Sequence, residues 1–170
     1  MRKWILIASI LLVPSVAATG DYERINTPYY IMENKGGIVS AKEQTRVFRR
    51  IYHFATSRYG VEQDIAMEFG MACEQTSDPK TCAAIAARES GFRSDAVGRD
   101  GERSAWQLLE PPEELDVLDN FKAADAAMKL LAEKTQEAHG NFRQGIRRYN
   151  GAGPKAEQYA NEVIKLRRLI

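Results

Sequence analysis

The sequence predicts a mainly α-helical domain broken once by a polar, non-helical insertion. Three observations carry that expectation. Apolar side chains recur at the three- and four-residue steps of an amphipathic helix in several segments between Ser40 and Leu169. Those segments are bounded by helix start and stop signals, such as Asp78-Pro79 before one and Gly140 after another. Between Phe92 and Leu109 the pattern lapses, in "FRSDAVGRDGERSAWQLL", where Gly98 and the Asp100-Gly101 pair point to a small β-ribbon or an irregular loop.

The first residues stand apart. "MRK" is a short basic start, Trp4 to Val13 is an apolar run, and "PSVAATG" follows with a break and small residues suited to cleavage after Ala17 or Ala18. This is the pattern of a secretory signal peptide over residues 1–18. The run is short for the roughly 20 residues a membrane span requires and Pro14 ends it, so cleavage is expected in place of stable membrane insertion. An exported protein, periplasmic or otherwise outside the cytoplasm, follows from that reading. Losing Arg2 and Lys3 leaves 22 of the 24 basic side chains against 23 acidic ones, a near-neutral balance that offers no electrostatic case for nucleic acid. Basic residues do gather in "RVFRR", "RQGIRR" and "KLRR", interleaved with apolar positions as on the solvated side of amphipathic helices. Weak attraction to an anionic polymer stays open there.

Residues 19–39 form an N-terminal extension, with a short helix expected after Thr27-Pro28 and a stop at Gly36-Gly37. The main domain spans 40–170. "SAKE" from Ser40 has capping-box spacing and opens a helix with Val47, Ile51, Phe54 and Ala55 on one side, ending near Gly60. "VEQDIAMEFGMACEQ" is the next helix and ends beside Cys73. Asp78 as N-cap and Pro79 at the first helical position start the helix containing Cys82. Two cysteines so close in an exported chain favour a Cys73–Cys82 disulfide joining the two helices at their corner. Two distant histidines and two cysteines lack ligand spacing, so no metal site is expected.

Beyond the insertion, helical patterning returns across "PPEELDVLDNFKAADAAMKLLAEKTQEAHG", with Phe121, Ala124, Met128, Leu131 and Ala132 as a stripe. Asn141 can cap "NFRQGIRRY". "PKAEQYANEVIKLRRL" closes the chain with Tyr159, Val163 and Leu166 on one side.

The helix "CAAIAARE" places Glu89 on the same side as Cys82, Ile85 and Ala86. A carboxyl on an apolar face near a helix C-terminus, which Gly91 suggests, holds its proton more tightly for two reasons, removal from water and the negative end of the helix dipole. The alternative is a Glu89 that swings outward to pair with Arg88 or Arg93.

Three pieces then stand in order: "ARESGFRSDAVGRDGERSAWQLL", a helix, and "RRYNGAGPKAEQYANEVIKL". Together they resemble the lysozyme-like domain of soluble lytic transglycosylases, relatives of goose-type lysozyme, over roughly residues 80–168. The resemblance implies an α+β lysozyme-like fold in which the insertion forms one wall of a glycan cleft. It matches Glu89 to the catalytic acid/base and Ser90 to the serine beside it. Gln107 matches the cleft glutamine that contacts glycan, and Tyr149 the tyrosine whose hydroxyl approaches the catalytic carboxyl. Asn150 belongs to the same motif, expected more to brace the turn than to touch substrate, and Phe92 and Trp106 match apolar positions behind or along the cleft. Two departures mark this chain: Ser104-Ala105 stands where the family has Gly-Leu or Gly-Ala, and the proline after Gln-Leu is displaced to Pro111-Pro112.

The activity implied is cleavage of the β-1,4 bond between N-acetylmuramic acid and N-acetylglucosamine with closure of a 1,6-anhydro ring, using one glutamate and no cofactor. Peptidoglycan strands are the implied partner, and a secretion, conjugation or phage apparatus a further one. A hydrolytic muramidase and an inactive peptidoglycan-binding factor are the rival expectations.

Overall fold

A computed structural model of the chain describes residues 41–170, with side chains from Arg46 onward. The expected signal peptide, the expected N-terminal extension and Ser40 of the expected capping box lie outside the described residues. Six helices form: α1 (Ala41–Tyr59), α2 (Gln63–Glu74), α3 (Pro79–Glu89), α4 (Asn120–Glu137), α5 (Phe142–Asn150) and α6 (Pro154–Leu169). The mainly helical expectation therefore holds, and among the described residues no helix is long and apolar enough to cross a membrane.

α3 is the axis of the domain. Its N-terminus forms as the sequence predicts, with Asp78 accepting from the Thr81 amide at 3.2 Å and Pro79 at the first position. From Thr81 to Ala86 every residue is fully buried and Ala87 nearly so, so α3 is apolar around most of its circumference and not along one stripe. The small side chains in "CAAIAA" are what let neighbouring helices approach it from several sides. α6 runs antiparallel to it, with Arg88 paired to Glu162 at one end and Arg167 Nε bonded to Thr81 Oγ1 at 2.9 Å at the other. α1 runs alongside in the same direction as α3, its Tyr59 against Gly91 and Phe92.

α1 and α2 fold back on each other, and Gly70 is the close contact: a Cβ there would stand 2.8 Å from the Phe48 ring. Cys73 and Cys82 are bonded, with their Cα atoms 5.5 Å apart and a sequence separation of nine. Closing so short a loop stabilises by about 2–3 kcal/mol in the chain-entropy account.

Two expectations change in detail. The stretch 111–119 is not helical; consecutive prolines at 111 and 112 suit an extended or turn path, and the Asp119 side chain accepts from the amides of Phe121 and Lys122, so α4 starts at Asn120. Ala132, expected on the apolar stripe of α4, is exposed, whereas Ala124, Met128 and Leu131 are buried. The insertion contains no strand among the described residues. It is an irregular ribbon held by two isolated antiparallel bridges that share Arg103, to Val97 and to Leu108.

Candidate active site

The insertion returns on the C-terminal end of α3 and is fastened there by three side chains. Ser90 Oγ lies 3.0 Å from the Ala105 carbonyl and 3.2 Å from that of Ala86, and accepts from the Arg93 amide at 3.0 Å. Trp106 is fully buried and its indole N–H donates to the Cys82 carbonyl at 3.0 Å. Beneath them Phe92 meets Phe54, Tyr59 and Phe69 with ring centroids 5.2–6.2 Å apart, and Phe69 meets Trp106. This aromatic floor fixes the ribbon against α1, α2 and α3.

The backbone of the insertion is strained. Of the five non-glycine residues with positive φ among the described residues, three lie here, Phe92 at 66°, Ser104 at 75° and Gln107 at 50°, and a fourth, Glu110 at 49°, directly follows. Left-handed backbone costs an L-residue about 1–2 kcal/mol, and such positions gather where geometry serves a site. Ser104 is informative because the resemblance leads one to expect glycine at that position. The buried serine takes the left-handed conformation itself, and its Oγ accepts from the Trp106 amide at 3.3 Å.

Glu89 is the last residue of α3 and is only partly exposed. Neither arginine beside it takes it: Arg88 pairs with Glu162, and Arg93 Nε donates to the Ser90 carbonyl at 3.0 Å. Burial raises the pKa of the Glu89 carboxyl above the ordinary glutamate value, and the neighbouring Glu102 charge adds to that. The Tyr159 hydroxyl and the Arg88 charge act the other way, and burial prevails.

Two tyrosines close over this carboxyl. The Tyr149 hydroxyl donates to the Trp106 carbonyl at 2.9 Å, tying α5 to the insertion. It is buried and feels the Glu89 charge, and both effects raise its pKa. Tyr159, from α6, is 2% exposed, and its pKa is raised by burial first and then by Glu89. Its hydroxyl lies near enough to Glu89 to favour the carboxylate, yet it falls outside the geometry of a formed hydrogen bond and has no partner. The Arg88 guanidinium covers its ring at 5.7 Å.

Gln107 and Glu102 meet across Gly98. A Cβ on Gly98 would stand 2.2 Å from Glu102 Oε2 and 2.5 Å from Gln107 Oε1, so a side chain there would push both flexible ends out of their present positions. Gln107 Nε2 donates to the Ser104 carbonyl at 2.9 Å, and Glu102 Oε2 accepts from the Asp100 amide at 3.0 Å.

The structure thus gathers Glu89, Ser90 and Tyr149 at the junction of α3, α5 and the insertion, with Gln107 on the insertion itself. Asn150 is exposed at the end of α5. Trp106, expected behind or along the cleft and as a candidate substrate contact, has no exposed surface: it is a core side chain, and its carbonyl, not its ring, meets Tyr149. Ser90 is likewise engaged in holding the ribbon. Tyr159 is the residue that sequence reasoning passed over as part of an apolar stripe. An apolar groove of about 680 Å³ lies elsewhere, between α4, α5 and the turn before α3, lined by Met128, Leu131, His139 and Phe142 and by none of the residues around Glu89. No metal-ligating cluster occurs among the described residues. Comparison of the chain with family models, curated proteins and solved structures gave no match.

Proposed function

We propose that this chain is an exported lytic transglycosylase of lysozyme-like fold, cutting peptidoglycan between N-acetylmuramic acid and N-acetylglucosamine. The observation that carries the reading is the setting of Glu89: an unpaired, partly buried carboxyl with a raised pKa, flanked by two tyrosine hydroxyls at the mouth of a strained polar insertion. A general acid must carry its proton near working pH, and burial supplies that condition.

In the proposed reaction the Glu89 carboxyl protonates the glycosidic oxygen as the bond to C1 breaks. The substrate's 2-acetamido group stabilises the oxocarbenium-like centre. The Glu89 carboxylate then takes the proton of the 6-hydroxyl as its oxygen bonds to C1, closing the 1,6-anhydro ring and restoring the acid. The nucleophile is already tethered to the reacting ring, which gives closure the entropic advantage of an intramolecular step. Tyr159 stands where its hydroxyl can donate to the carboxylate once it forms, so its unpartnered state suits the second half of the cycle. In this reading Gln107, partly exposed beside Glu102, meets the sugar's polar edge.

Hydrolysis is the second reading, and the nearness of Glu102 favours it. A second carboxylate close enough to raise the pKa of Glu89 can activate water in place of the 6-hydroxyl. Mass spectrometry of products released from purified peptidoglycan decides between them, because the anhydro product is lighter by one water. Glu89→Gln should lower release by about 10²–10⁴-fold while the protein stays folded. A variant that still releases muropeptides at the wild-type rate refutes the assignment.

A further inference from the structure

At the opposite end of α3 from Glu89, three helices bring together basic side chains that are scattered in sequence. We propose that this end of the domain docks on an anionic phospholipid surface. Arg46 and Arg50, one turn apart and exposed on α1, come from "RVFRR", whereas Arg167 and Arg168 come from "KLRR" at the end of α6. Arg46, Arg50 and Arg167 meet because α1 and α6 both lie along α3, and Arg168 follows Arg167 as an exposed residue of the same last turn. Arg50 Nη1 donates to the Ile170 carbonyl at 3.1 Å, and Arg167 reaches Asp78 Oδ2 at 3.2 Å in the turn that starts α3.

Lys80 stands among them in the first turn of α3. Its pKa is lowered, by burial first and then by Arg50, Arg167 and Arg46, with Asp78 the one carboxylate opposing them. Among the described side chains that act on this position, four cations with Lys80 itself included stand against one carboxylate, a segregated charge in a chain whose formal net charge is only +1.

Apolar surface accompanies the cations. Leu169 is 51% exposed in the last turn of α6, and Phe142, 37% exposed, lies under the Arg167 guanidinium at 5.8 Å. The apolar groove of Met128 and Leu131 reaches the same Asp78 and Phe142. Basic side chains around exposed aliphatic and aromatic ones suit an interface where phosphate headgroups meet acyl chains. They suit a duplex nucleic-acid backbone less, because its phosphates engage the cations but give the exposed Leu169 no apolar partner. α3 has 11 residues, so docking here leaves the Glu89 end about 15 Å away and free, at 1.5 Å of rise per residue. The inference stands apart from the enzymatic reading.

Co-sedimentation of the full chain with phosphatidylglycerol-containing vesicles and with phosphatidylcholine vesicles tests it. Any apolar contribution from the first residues is common to both vesicles and all variants. The expected result is binding to the anionic vesicles at low salt, weakened by added salt, and weakened about thirty-fold by Arg46→Ala with Lys80→Ala, which removes two surface cations. If that pair lowers the unfolding midpoint, Lys80→Gln alone should weaken binding about five-fold. Arg99→Ala with Arg103→Ala, removing the same charge from the insertion, should leave binding unchanged. Equal binding to both vesicles, an equal loss in the insertion control, or retention of duplex DNA without any vesicle preference overturns the proposal.

Discussion

Glu74, at the end of α2, offers a test of the electrostatics on which the site depends. One of its oxygens, Oε1, is buried without a hydrogen-bond partner, and burial alone lifts its pKa from the ordinary 4.5 to about 7. The folded protein therefore holds this proton over a pH range in which the unfolded chain has released it. Stability from the protonated carboxyl is fully present below pH 4.5 and is lost as pH rises to about 7. A gap of that size corresponds to about 3.4 kcal/mol at 1.36 kcal/mol per pKa unit. The side chain is only half-buried, however, and solvent screening reduces the figure to about 1–2 kcal/mol. Glu74→Gln keeps the shape and removes the charge. Urea unfolding of both proteins from pH 4 to 8.5 should show near-equal stability at the acid end and a variant more stable by about 1–2 kcal/mol at the alkaline end. Glu89 tilts both curves in the same direction and cancels in the difference. A difference that stays flat with pH, or a variant less stable at pH 8.5, would refute the reasoning about buried carboxyls here.

Substitutions at three further positions probe the site and its frame. Tyr159→Phe removes a hydroxyl that favours the Glu89 carboxylate, so the alkaline limb of the pH–activity profile should move to higher pH; an unmoved limb separates Tyr159 from the acid. Ser104→Gly should stay within about 0.5 kcal/mol of wild type in thermal unfolding, because relief of left-handed backbone offsets the lost acceptor for Trp106, whereas Ser104→Val should cost about 2–3 kcal/mol. Gly145→Ala would put a Cβ 2.8 Å from the Thr135 Cα, a backbone atom that cannot swing aside, so α4 and α5 must part and denaturant unfolding should show a loss of about 1–3 kcal/mol.

The helices were legible because their limits are written in local chemistry. Asp78-Pro79 and Asn141 form the caps that their side chains predict, with Asn141 Oδ1 accepting from the Gln144 amide at 3.1 Å. Where a start signal sits inside a run of helix-forming residues, as at Asp119, the reading overran by nine residues, since Glu-Glu-Leu carries no sign of its own that a turn precedes the cap. The all-round burial of α3 was hidden as well. Alanine fits an apolar face and a solvated one equally, so "CAAIAA" discloses a helix without disclosing how many neighbours surround it.

The site divides along the same line. Glu89 could be picked out because an acid on an apolar face is a local contradiction, and Tyr149 because of the motif that carries it. Tyr159 has neither mark: at an apolar position of a helical stripe, a tyrosine reads as a ring that packs, and its ring does pack. Only the antiparallel meeting of α3 and α6, fixed at both ends by Arg88–Glu162 and Arg167–Thr81, brings its hydroxyl to a carboxyl seventy positions away in sequence. The two tyrosines then divide the labour that one was expected to perform. Tyr149 has its proton committed to the Trp106 carbonyl and holds the wall of the site, whereas Tyr159 keeps an unspent donor beside the acid. In the proposed reaction the carboxyl gives up a proton and then bears a charge, so it needs a neighbour that can respond to that change, and of the two tyrosines only Tyr159 has an uncommitted hydroxyl.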